Sequence, residues 1–84
     1  MSHDDENRMS TKQKLVYMAN QIATFFDSKP HDERVEGIAE HINKFWDPRM
    51  RRQFLEMLAA GGAGMKPTVI EAGAKIRPPK QDAA

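Results

Sequence analysis

Cysteine is missing from all 84 residues. No disulfide can brace this chain, and no thiolate can hold a zinc ion or an iron–sulfur cluster. Net charge is nearly missing too, with 13 Lys+Arg against 12 Asp+Glu and a formal charge of +1. No global field therefore draws the chain toward nucleic acid or an anionic membrane. No apolar run approaches the ~20 residues of a membrane span. Residues 2–8 read Ser-His-Asp-Asp-Glu-Asn-Arg, without the basic start and apolar run of a secretory signal. The expected setting is the cytoplasm, which the lack of cysteine suits. A chain of this length forms one small domain, burying about 60% of its unfolded surface, and is marginally stable alone. Without disulfides, such domains often depend on a metal or a partner.

Helical periodicity fills most of the rest. Ser10-Thr11-Lys12-Gln13 fits a capping box, with Ser10 capping the open N–H groups and Gln13 reaching back. Leu15, Met18, Ala19, Ile22 and Phe26 follow at helical spacing, and this first helix is expected to end near Asp27. A second begins near Pro30–Asp32, with Asp32 and Glu33 at its positive end. Its stripe is Val35, Ile38, Ala39, Ile42, Phe45 and Trp46. Asp47 then serves as N-cap and Pro48 as first residue of a third helix. That helix carries Met50, Phe54, Met57 and Leu58 on one side and stops at Gly61-Gly62, where Gly61 suits the left-handed C-terminal position. A short fourth helix is expected from Pro67 toward Ile76, weakened by Gly73. Nothing alternates like a strand. The prediction is an all-α bundle of three helices plus a short fourth, occupying 10–76, with a disordered tail at 1–9 and an extended tail at 77–84.

The first two helices share one apolar template. Leu15, Met18, Ala19, Ile22, Phe25, Phe26 and Asp27 match Val35, Ile38, Ala39, Ile42, Phe45, Trp46 and Asp47 at a constant offset of 20 residues. Two amphipathic helices share such spacing by chance, and two copies are too few for a solenoid. The consequence is geometric. At about 100° per residue, neighbours such as Phe25 and Phe26, or Phe45 and Trp46, point well apart. Each helix thus shows an apolar arc wider than the ~100° stripe that one-sided packing needs. Most of these residues belong in an ordinary core, but one aromatic of each pair is expected at the surface, where large aromatics favour protein partners. The candidate partner-binding residues are Phe25, Phe45, Trp46, Arg49 and Arg51.

Catalytic chemistry is not visible. His3, His31 and His41 have no metal-ligand spacing, and no HExxH occurs. His31-Asp32-Glu33 is better explained as a solvated helix start than as a proton-transfer group. Gly61-Gly62-Ala63-Gly64 lacks the lysine and preceding strand of a P-loop. Glu40 and Lys44 are spaced for an i, i+4 pair. Arg49, Arg51 and Arg52 suggest a recognition helix for nucleic acid, but Glu56 follows Arg52 by one turn and the charge balance is too low for phosphate-driven affinity. No enzyme activity, bound cofactor or metal site is expected.

Certain runs are more specific. Met18-Ala19-Asn20-Gln21-Ile22-Ala23, Gly37-Ile38-Ala39-Glu40-His41-Ile42 and Lys44-Phe45-Trp46-Asp47-Pro48-Arg49-Met50-Arg51 resemble the delta subunit of soluble NAD-dependent formate dehydrogenases. Ala59-Ala60-Gly61-Gly62-Ala63-Gly64, followed by Pro67, resembles that family's final segment. The likeness runs from about Leu15 to Ala74. It implies an accessory subunit that helps assemble or stabilise a multi-subunit enzyme by docking on its large catalytic subunit. In such complexes other chains carry a molybdenum or tungsten pterin, iron–sulfur clusters, FMN and the NAD site. No catalytic residue is carried over. Two alternatives remain: a transient assembly chaperone for the large subunit, and a small helical nucleic-acid-binding regulator.

Overall fold

The computed structural model describes residues 9–79; most of the two expected tails, 1–8 and 80–84, lies outside that range. Four α-helices follow in order: α1 (Thr11–Phe25), α2 (His31–Phe45), α3 (Pro48–Ala59) and α4 (Pro67–Ala72), the last continued by a 3-10 turn at Gly73–Lys75. No strand occurs among the described residues.

Local chemistry sets the helix ends. The Gln13 N–H donates to Ser10 Oγ at 3.1 Å while the Ser10 N–H donates to Gln13 Oε1 at 2.8 Å, so two otherwise open donors are satisfied reciprocally. The Met50 N–H donates to Asp47 Oδ1 at 2.9 Å, and Pro48 occupies the first turn of α3, where its missing N–H costs nothing. At the other end of α3, Gly62 N–H reaches Met57 O at 2.9 Å and Gly61 N–H reaches Leu58 O at 3.0 Å. That is a Schellman closure. It requires the positive φ of Gly61 (121°) and Gly62 (67°).

The fourth helix is shorter than its apolar pattern suggests. At Gly73 the backbone tightens to 3-10, and a Cβ there would lie 2.7 Å from Leu58 Cδ1. Gly73 therefore lets the chain pass close over α3, which a regular helix of larger residues cannot do.

α2 is the centre of the bundle. It packs on α4 and on α1, and α1 in turn packs on α3 and α4. Alanines permit these approaches, since Ala19 and Ala23 of α1 and Ala72 of α4 are wholly buried. Around them Ile38, Ile42, Phe54 and Val69 are fully enclosed. Each such side chain contributes about 1.5–3 kcal/mol by leaving water. Of the expected α3 stripe, Phe54 is wholly buried while Met50, Met57 and Leu58 are half-buried.

Candidate docking surface

Both aromatic pairs divide the same way, the first ring outside and the second inside, each for a local reason. Phe25 ends α1 on its outer side and is 77% exposed, while Phe26 turns back over α2 and is half-buried. The Phe26 ring rests on Gly37, where an added Cβ would come within 2.6 Å of it. Phe45 ends α2 and is 67% exposed. Trp46 leaves the helix with extended backbone (φ −91°, ψ 134°), which swings its side chain inward to 4% exposure. Its ring meets Phe54 edge-to-face at 5.2 Å.

This placement turns two of the sequence-derived candidates away from open surface. Trp46 is a core residue and offers no surface to a partner. Arg51 is turned inward as well: its Nη1 donates to Asn43 O at 3.4 Å and Trp46 O at 3.3 Å. The guanidinium thus covers the open carbonyls at the C-terminal end of α2, where the helix dipole favours a cation. Arg49, in the first turn of α3, is exposed.

What remains outside is an aromatic face built from α1 and α2. Met18 (39% exposed), Ile22 and Phe25 stand one turn apart along α1. On α2 the His41 ring lies 4.7 Å from that of Phe45. Between them runs a cleft of about 420 Å³ lined by Gln21, Ile22, Phe25, Phe26 and His41. Phe25 meets Phe26 edge-on at 5.1 Å. A second cleft of about 320 Å³ shares the Phe26 wall and continues over Gly37 toward the start of α2.

Polar contacts hold the remaining chain in place, and two of them escaped the sequence reading. Asn20 Nδ2 donates to Gly64 O at 2.9 Å while its Oδ1 accepts the Lys66 N–H at 3.0 Å. Asn43 repeats the arrangement, with Nδ2 to Lys75 O at 3.1 Å and Oδ1 from the Arg77 N–H at 2.8 Å. Each amide clasps the backbone on both sides of a buried anchor, Met65 in one case and Ile76 in the other. The only sequence signal was a mid-helix asparagine bordering an apolar stripe, where local preference disfavours it. Arg77, placed by its sequence in the tail, is therefore fastened to α2.

Ion pairs join His31 to Glu71 at 2.8 Å and Lys75 to Glu36 at 3.0 Å. Both link α2 to the fourth helix region, and their half-exposed side chains make them small contributors. The i, i+4 spacing of Glu40 and Lys44 predicted a pair, but Glu36 is the α2 carboxylate that a lysine engages, across the bundle rather than along the helix. Among the described residues no group of three His, Cys, Asp or Glu side chains is placed to hold a metal ion. No described helix is long and apolar enough to cross a membrane.

The described residues thus form a small all-helical bundle with exposed aromatic rings on α1 and α2. The family model described as the NADH-dependant formate dehydrogenase delta subunit FdsD matches residues 14–72, and the chain belongs to that family. No curated protein and no solved structure matches it.

Proposed function

We propose that this chain is a resident, non-catalytic delta subunit of a multi-subunit NAD-dependent formate dehydrogenase, docking on the large catalytic subunit and aiding assembly or stability of the complex. The observation that carries this reading is the pair Phe25 and Phe45, 77% and 67% exposed on neighbouring helices. Large aromatic rings left in water are typical of a surface that a protein partner covers. Arg49, exposed in the first turn of α3, is assigned a charged contact to the same partner. In this reading the iron–sulfur clusters of the complex belong to companion subunits, since the chain has no cysteine to ligate one.

The test is co-purification from cells expressing the whole enzyme. Phe25→Ser/Phe45→Ser lowers recovery of this chain with the large subunit, while its helical circular dichroism is retained. Full recovery of the double variant with the complex overturns the reading.

A further inference from the structure

The face described above is not only apolar, and its charge identifies what covers it. Along α2, Asp32, Glu33, Glu36 and Glu40 line the second cleft, with Lys29 as the single cation among its lining residues. Glu36 shares its charge with Lys75, and Arg34 and Lys44 lie on the same helix, yet with that pair set aside the cleft lining still sets Asp32, Glu33 and Glu40 against Lys29. The cleft itself is walled by the Phe26 ring over Gly37, and that ring also lines the first cleft beside Phe25 and His41. The two clefts meet at the Phe26 ring and together make a track from α1 to α2, with negative charge on one bank.

We infer that this track receives a basic amphipathic helix of a companion subunit, its apolar side chains on Phe25 and Phe26, with Phe45 reached past the His41 ring, and its lysines or arginines along Glu33 and Glu40. The inference rests on the docking reading and adds the chemistry of the partner. A helix suits an apolar track because it brings no open backbone N–H and C=O groups to it. A helix satisfies its own backbone and presents only side chains. Basic residues follow from complementarity, since like charge along this bank costs affinity and opposite charge steers approach.

Two arms test it. In the first, the full chain is titrated with two synthetic amphipathic helices sharing the same leucine positions, one bearing lysine and the other glutamate at every polar position. The lysine probe binds about tenfold more tightly at low salt. Its amide shifts centre on Ile22, Phe26, Gly37 and His41, and the preference shrinks as salt screens it. Glu33→Lys/Glu40→Lys abolishes the preference, and the milder Glu40→Gln reduces it without charge reversal. Equal binding of the two probes, shifts elsewhere, or a concentration-dependent dimer of this chain through the same residues overturns the inference.

In the second arm the enzyme complex is purified with Glu33→Lys/Glu40→Lys, with Phe25→Ser/Phe45→Ser, or with Glu56→Lys on α3 outside both clefts. Loss with the first two and retention with the third is the expected pattern. Loss only with the serine variant leaves docking standing and removes the basic partner. Retention of all three removes the docking reading itself.

Discussion

Glycine in the middle of a 15-residue helix costs about 1 kcal/mol relative to alanine, so Gly37 in α2 (His31–Phe45) calls for a structural reason. The Phe26 ring supplies it. A Cβ on residue 37 would stand 2.6, 2.7 and 2.8 Å from three carbons of that ring, against an ordinary contact of 3.4–4 Å. Gly37→Ala must therefore push the ring outward or rotate it off the helix. Overpacking of this kind costs about 1–3 kcal/mol, against the ~1 kcal/mol gained in helix preference. The net result is a loss of about 0–2 kcal/mol. In a Phe26→Ala background all three obstructing ring carbons are gone, and the same substitution recovers its ~1 kcal/mol gain. Urea unfolding followed by far-UV circular dichroism reads the difference. With a slope near 1 kcal/mol/M for so small a domain, the midpoint shift caused by Gly37→Ala differs between the backgrounds by roughly 1 M or more. Equal stabilisation in both backgrounds refutes the claim that the ring holds this site as glycine.

Three further outcomes follow from contacts already described. Trp46→Ala, which empties a core site against Phe54, destabilises by about 3–5 kcal/mol in thermal or urea unfolding, whereas Phe45→Ser, at a site 67% exposed, shifts stability by less than about 1 kcal/mol. Asn20→Ala removes two hydrogen bonds to the loop around Met65 and costs about 1–3 kcal/mol, with faster hydrogen exchange at the Lys66 amide as its local sign. Gly62→Ala strains a φ of 67° and crowds Ile70 Cγ1 at 3.1 Å, so it lowers the urea midpoint by an amount equivalent to about 1–2 kcal/mol.

The primary sequence was enough to specify the all-α class, the three principal helices and the chemistry at their ends. Those features depend on contacts within four or five residues. Ser10 with Gln13, Asp47 with Met50, and Gly61-Gly62 with Met57 and Leu58 are decided before any helix meets another. Family likeness was legible as well, because the Phe45-Trp46-Asp47-Pro48 joint and the glycines after Ala60 are short contiguous runs. Which aromatic of each pair faces water was not. Periodicity separates Phe45 from Trp46 by angle but cannot say which direction the bundle fills. Only the extended backbone at Trp46, set by the turn into α3, sends that ring to Phe54 and leaves Phe45 outside. Arg51 went the same way: its sequence neighbours suggested a surface cation, and the packed α2–α3 corner gave it two carbonyls. The asparagine clasps, the close passes at Gly37 and Gly73, and the acidic bank beside an apolar track join residues on different elements. Their energies exist only once the helices have been brought together, so tertiary structure alone could decide them.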